Sequence, residues 1–357
     1  MLLDPKPKSK SSDLFGRKRE LKILIDSLSS NPITIITGIR RIGKSSLMRV
    51  GLKEINASYL IIDARKMYTD SGGAISKFNL ISQLQPELEK HLLKEKIKKA
   101  LKNVKGFMIA GNSIEFNWKE INISDILEAL NQIRKTFIIA IDEAQYLKYY
   151  GSRGGRDLQN MIAWAYDNLE NIRFLLTGSE IGLLYDFLGV EDYDNPLFGR
   201  YLSEILLYPF SDIEAISFLK KALEEANCSY KETELVEAHK HLDGIVGHLV
   251  QYGLHRLKKS HPEALEAAYK VARITLKKEL KELEKRSPRY ITVLKYIASG
   301  AKKFSNIQKA FQVNGETISK SRIHDALDIL RKTGWIEKKD NEWHIIDKVF
   351  EKLLKEE

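Results

Sequence analysis

Short runs of consecutive apolar, mostly β-branched residues recur along the first two hundred positions, each closed by a glycine, an acid or a proline. Ile33-Thr-Ile-Ile-Thr37 stops at Gly38, and Tyr59-Leu-Ile-Ile62 stops at Asp63. Phe137-Ile-Ile-Ala-Ile141 leads to Asp142, and Arg173-Phe-Leu-Leu-Thr177 leads to Gly178. A fifth run, 204–208, ends at Pro209. Runs apolar on both faces predict buried parallel strands. Between them, apolar residues at spacings of three and four predict helices over 17–29, 44–55, 75–102, 124–134 and 157–169. This alternation predicts an α/β fold, a parallel sheet covered by helices on both faces.

The pattern breaks in three places. About seventy residues separate the second and third strands, far more than a crossover needs. The surplus, 68–124, reads as an insertion of helices followed by a β-hairpin over 106–118, turning at Gly111-Asn112. From 211 to 286 the strands vanish and apolar positions keep a helical spacing (Ile213, Ile216, Leu219, Leu223), which predicts a helical lid. Ser287-Pro288 then opens a last section, 287–357, reading helix 288–299, helix 304–311, helix 319–333 and a hairpin from Trp335 to Ile346. The expected organisation is therefore a flexible tail over 1–12, an α/β section over 13–210, the lid, and this carboxy-terminal section.

Composition adds limits. The chain has 357 residues, 43% hydrophobic and 30% charged, with a formal charge of +10. That suits a folded protein with a basic lean, compatible with nucleic acid or acidic partners. A single cysteine, Cys228, excludes an internal disulfide and suits a reducing interior. No eighteen-residue apolar stretch occurs, so the expectation is a cytoplasmic protein with no membrane partner. Eight histidines offer no third ligand at zinc spacing.

Chemistry concentrates at the strand ends. Gly38-Ile39-Arg40-Arg41-Ile42-Gly43-Lys44-Ser45, followed by Ser46, fits G-x-x-x-x-G-K-[ST] between a strand and a helix. Glycines there let backbone N–H groups converge on phosphate oxygens, and the helix amino terminus adds positive potential. Lys44 is placed to reach the β- and γ-phosphates, with Ser45 on Mg²⁺. Asp142-Glu143 supplies a second Mg²⁺ contact through Asp142 and a general base in Glu143. If the Asp142 strand lies beside the phosphate-loop strand, Thr177 becomes a candidate γ-phosphate sensor. Arg200, in Pro196-Leu-Phe-Gly199-Arg200, is a candidate arginine finger, within this chain or across an interface. The reading is an Mg²⁺-dependent ATPase, slow turnover included, that binds ATP and ADP.

The order GIRRIGKSSL, IDEAQ, LLTGS and PLFGR, preceded by Leu14-Phe15-Gly16-Arg17-Lys-Arg19-Glu20-Leu21, resembles the archaeal ATPase family among the STAND-type, AAA+-related P-loop ATPases. The resemblance spans roughly 13–350. It implies that Phe15, Gly16 and Arg17 lie near the adenine or ribose and that Arg200 contacts a γ-phosphate. In the lid, Asp243-Gly244-Ile245-Val246-Gly247-His248-Leu249 has Val246 where the family usually has proline, so Val246 becomes the expected apolar contact. The last section is similar to a winged helix, with Lys320 and Arg322 opening its third helix. Residues 287–357 hold fourteen Lys/Arg against ten Asp/Glu. DNA docking there stands beside an unknown protein partner or an intramolecular regulatory role, within a nucleotide-driven switch. The alternatives are a DNA-binding factor resembling origin-recognition or loader ATPases and an ADP-retaining scaffold.

Overall fold

The structure is a computed structural model describing residues 1–92, 94–110, 113–117, 120–189, 192–316 and 318–356. Its strands in chain order are β1 (Ile33–Thr37), β2 (Ser58–Asp63), β3 (Phe107–Ala110), β4 (Ser113–Phe116), β5 (Phe137–Asp142), β6 (Ile172–Gly178), β7 (Ser203–Leu206), β8 (Ile336–Lys339) and β9 (Glu342–Ile345). Five of them form one parallel sheet in the order β2-β5-β6-β1-β7. Each expected strand run is found in it within one or two residues, except that β7 is shorter than 204–208.

The expected neighbourhood of two strands is corrected. β5, carrying Asp142, does not lie beside β1. β6 intervenes, pairing Thr37 with Gly178 on one side and Leu176 with Ile141 on the other. The strand runs are alike in their apolar content, so nothing local ranks their pairings. The order follows from which helix covers which face.

Alternate side chains of the strands serve two cores. Ile36, Ile138, Ala140, Leu175 and Ile205 meet Leu24 and Leu28 of helix Lys18–Ser30 and Leu47, Met48 and Leu52 of helix Lys44–Glu54. Ile35, Leu60, Ile139 and Phe174 face the other way, against helices Lys77–Glu89, Ile123–Asn131 and Arg156–Asn168. Burial on both faces is why these strands are uninterrupted apolar runs.

The 68–124 insertion holds the helices expected over 75–102 as separate short segments. Helices Ala64–Asp70, Lys77–Glu89 and Glu95–Leu101 precede the β3–β4 hairpin. The hairpin's expected turn at Gly111-Asn112 and its end at Trp118 lie outside the described residues.

Four helices follow the sheet: Asp212–Glu225, Glu232–Leu242, Val246–Arg256 and His261–Arg286. The last carries the chain into helices Pro288–Ala298, Phe304–Val313 and Lys320–Lys332 and the β8–β9 wing. A final helix, Lys348–Glu356, was not expected. It buries Val349, Phe350, Leu353 and Leu354 in the same cluster as the winged helix.

The amino-terminal segment is likewise not the free tail its composition suggests. Leu2 and Leu3 are buried among the lid helices, Leu3 against Gly253, while the Leu2 amide donates to Glu225 Oε2 at 2.7 Å. Two leucines are enough to hold a segment otherwise rich in Pro, Lys and Ser. Among the described residues no helix is long and apolar enough to cross a membrane.

Candidate functional site

The turn after β1 takes its shape from three residues with positive φ: Gly38 at 145°, Arg41 at 64° and Gly43 at 103°. A Cβ on Gly38 would lie 2.8 Å from the Leu207 carbonyl oxygen, so no larger residue fits there. Ile42, 1% exposed, plugs the loop into the core. Lys44 begins helix Lys44–Glu54 and is 5% exposed. Its ammonium donates to the carbonyls of Gly38 and Ile39, both at 2.9 Å, and contacts no acid directly. Burial outweighs the pull of Glu143 and Asp142 and lowers its pKa to about 8. A desolvated cation held only by loop carbonyls is a site built for an anion.

Ser45 donates to Asp142 Oδ2 at 2.8 Å, bringing a hydroxyl and a carboxylate together. Thr177, fully buried, donates to the other oxygen of Asp142 and accepts from the Glu143 amide at 3.1 Å. The expected sensor hydroxyl is thus engaged with Asp142. The Ser45–Asp142 pair is a hard-oxygen donor set of the kind that Mg²⁺ takes alongside phosphate oxygens. Among the described residues no cluster of His, Cys, Asp and Glu could hold a metal.

Glu143 sits at φ 55° and is enclosed by partners that sequence reasoning did not assign. Its carboxylate pairs with Arg65 and accepts from Gln145 Nε2 and Ser179 Oγ, both at 2.6 Å. Burial pushes its pKa up, but Arg65 and Lys44, with the Ser179 and Gln145 hydrogen bonds, leave it below the usual carboxylate range. Gln145 and Ser179 were within the recognised runs IDEAQ and LLTGS. Arg65 carried no local signal beyond following β2.

These groups border a cavity of about 410 Å³ lined by Arg41, Ile42, Gly43, Lys44, Ser45, Ser46 and Glu143 on the core side and by Val246, Gly247 and Val250 on the lid side. Val246 is 3.7 Å from where a Cβ on Gly43 would stand, so it does reach the loop. Phe15 and Arg17 line the same cavity. Phe15 packs edge-on to Phe210 and Phe218, and the buried Arg17 donates to the Tyr208 carbonyl at 2.6 Å and covers the Phe210 ring. Gly16 packs against Phe210, which a Cβ would approach to 2.9 Å. Residues 2 and 4–8 form a further wall, with the Lys8 amide donating to Ser46 Oγ at 3.1 Å. A larger cleft, about 1160 Å³, opens between helix Ile181–Leu188 and the wing. It holds self-paired charges such as Lys332–Asp186 and lacks Lys44 and the acids, so size does not make it the reaction site.

Arg200 stands apart from this cavity. It pairs with Asp167 at 2.5 Å and also donates to the Pro196 carbonyl. It lies three residues before Ser203, which pairs with Thr34 near the start of β1, at the far end of the sheet from Gly38. The structure thus sets Arg200 apart from the phosphate-loop cavity, because the chain reaches β7 from the opposite end of the sheet.

Residues 14–252 match the family described as an ATPase domain predominantly from Archaea. Residues 284–346 match the carboxy-terminal winged helix-turn-helix domain of MCM proteins. The Walker-type ATPase paby2304 of Pyrococcus abyssi is 38% identical, covers 99% of each chain and superposes with a TM-score of 0.89. The Aeropyrum pernix ORC2 protein, solved as ADPNP-ADP complexes, is 15% identical over 99% of this chain and 97% of its own, with a TM-score of 0.60, a likeness of fold. No curated protein matches the chain. With a phosphate loop, paired acids and two thirds of its length matched, the chain belongs to the family of ATPase domains found predominantly in Archaea.

Proposed function

We propose that this protein hydrolyses ATP slowly and uses the nucleotide to switch the placement of its winged helix. ATP would occupy the cavity between the phosphate loop and the lid. In this reading Lys44 and the loop amides hold the β- and γ-phosphates, Ser45 and Asp142 hold Mg²⁺, and Val246 and Phe15 border the nucleoside. Mg²⁺ would neutralise phosphate charge as the terminal bond breaks. Glu143 is ionised at neutral pH and takes a proton from the attacking water. Thr177 keeps Asp142 and Glu143 in register.

The observation that carries the switch is the double tether of the phosphate loop. Arg40 bridges Glu180, after β6, and Glu279, on the helix leading into the winged helix, both at 2.9 Å. The Arg41 carbonyl accepts from the Gly247 amide at 3.1 Å, and neighbouring His248 pairs with Asp347 of the winged-helix section at 3.2 Å. The helix Lys320–Lys332 closes the circuit, with Lys332 on Asp186 at 2.9 Å and its backbone against Gly182. A shift of the loop on binding triphosphate thus pulls on both docking surfaces. The test is a donor–acceptor pair placed on exposed Lys22 and Lys338, read without nucleotide, with ADP and with ATP. The pair distance is expected to differ between ATP and ADP. One distance in all three states would overturn the switch.

Arg65 carries a second expectation. It holds Glu143 by charge, so it restrains the base as well as ionising it. Arg65→Ala should raise steady-state phosphate release several-fold with an unchanged ATP dissociation constant. A fall instead would assign Arg65 to the reaction itself.

The reading as a DNA-binding factor rests on Lys320 and Arg322, exposed at the start of their helix. Against it, the same helix exposes Asp325, and its other end is taken up by Asp186. The ADP-retaining scaffold draws support from residues 2–8 closing one side of the cavity. Nucleotide extracted from the purified protein separates it from the switch.

A further inference from the structure

The chain's positive charge is concentrated far from the phosphate loop. Residues 90–105 hold seven lysines and one glutamate, so they carry +6 of the +10. The winged-helix section supplies the remaining +4, and the rest of the chain is balanced.

The fold sorts this segment into two faces. Ile97, Leu101 and Val104 are buried in the main core, where helix Glu95–Leu101 meets helix Ile123–Asn131. Lys94, Lys96, Lys99, Lys102 and Lys105 are exposed, the last four recurring every third residue. Like charges at this spacing repel each other along a helix face. Lys66 and Lys355, by contrast, are each matched to an acid one turn away, Asp70 and Glu351. Among the described residues, Lys96, Lys99, Lys102 and Lys105 have no acidic partner. The segment is anchored by Lys94 Nζ on Ser58 Oγ at 3.0 Å and His91 Nε2 on the Tyr59 carbonyl at 2.7 Å. Both contacts lie at the start of β2, on the order of 17 Å along the strand from its nucleotide-side end at Asp63.

We propose that this lysine row binds the phosphate backbone of duplex nucleic acid. Ammonium groups on flexible stems meet phosphates as point charges and need no base contact. Single strands are held by aromatic platforms, and 90–105 contains no Phe, Tyr or Trp. Lasting attachment to a membrane surface draws on an inserted apolar face as well as charge, whereas Ile97 and Leu101 are already buried in the fold. Protein interfaces deplete lysine at their centres. A duplex is the polyanion that asks for charge alone.

The experiment measures the full chain binding a fluorescent 30-base-pair DNA duplex across a salt series. It compares the wild type, a Lys96→Ala/Lys99→Ala/Lys102→Ala variant and a Lys320→Ala/Arg322→Ala variant. Each lost phosphate contact lowers the log–log salt slope by about 0.9, so the triple variant should lose about 2.7 and bind at least about tenfold more weakly at low salt. Its ATP affinity and melting temperature should match the wild type, since these side chains lie outside the core and the nucleotide cavity. An unchanged slope in the triple variant overturns the proposal. So does a loss confined to the Lys320/Arg322 variant, or wild-type binding to phosphatidylserine vesicles without binding to the duplex.

Discussion

Glu143→Gln is expected to bind ATP as the wild type does and to hydrolyse it at least about a hundredfold more slowly. The carboxylate is held by Arg65, Gln145 and Ser179 and is ionised at neutral pH, the state a general base requires. Glutamine keeps the shape and the hydrogen bonds to Ser179 while removing the basic oxygen. Neither Lys44 nor the Ser45–Asp142 pair is bonded to Glu143, so the groups proposed to hold phosphate and Mg²⁺ keep their places. Removing a negative charge beside the triphosphate should, if anything, tighten binding. Single-turnover phosphate release, measured beside equilibrium binding of labelled ATP, separates the two effects. Hydrolysis at the wild-type rate would remove Glu143 from the reaction and leave a nucleotide-binding protein whose water is activated elsewhere.

The phosphate-binding groups and the partners of Glu143 differ in how far the sequence foretells them. Strands buried on both faces impose a run of β-branched residues, and the loop imposes glycines where φ turns positive, so β1 and Gly38, Gly43 and Lys44 were legible as local patterns. Asp142 and Glu143 were legible for the same reason, as the polar end of an apolar run. The partners of Glu143 were not. Arg65 lies in the first turn of the helix that follows edge strand β2 and Ser179 follows β6, and only the order β2-β5-β6 brings both to β5. Pairing between distant segments leaves no period in either of them. Leu2 and Leu3 show the same limit on a smaller scale: a two-residue apolar anchor has no periodicity to read, yet it decides whether the amino terminus wanders or forms a wall of the cavity. Arg200 shows the opposite case. Its motif was visible, but its position relative to Gly38 depended on the direction from which the chain enters β7.

Lys44→Ala should abolish ATP binding without weakening the fold. The ammonium is the one side-chain cation seated inside the loop, and its hydrogen bonds go to the Gly38 and Ile39 carbonyls rather than to an acid. Its pKa of about 8 lies below the ordinary 10.5, so the native state holds this proton less tightly than the unfolded chain does. The sign follows from that. Below about pH 8 the lysine is charged in both states, and the net cost of holding that charge in the fold, on the order of 3 kcal/mol, opposes folding. Between about pH 8 and 10.5 the unfolded chain binds the extra proton, so stability rises with pH as this cost is relieved. Alanine removes the cost at neutral pH. The two freed carbonyls lose a partner but border the cavity, where water reaches them. The melting temperature of the nucleotide-free variant should therefore equal or exceed that of the wild type at pH 7. ATP with Mg²⁺, which stabilises the wild type by mass action, should leave the variant's melting temperature unmoved. ATP affinity of the wild type should also weaken as pH rises through about 8, where the free protein loses the charge that receives the phosphates. An ATP-induced shift of wild-type size in Lys44→Ala would show that the loop amides alone hold the nucleotide, and the role given to Lys44 would fall.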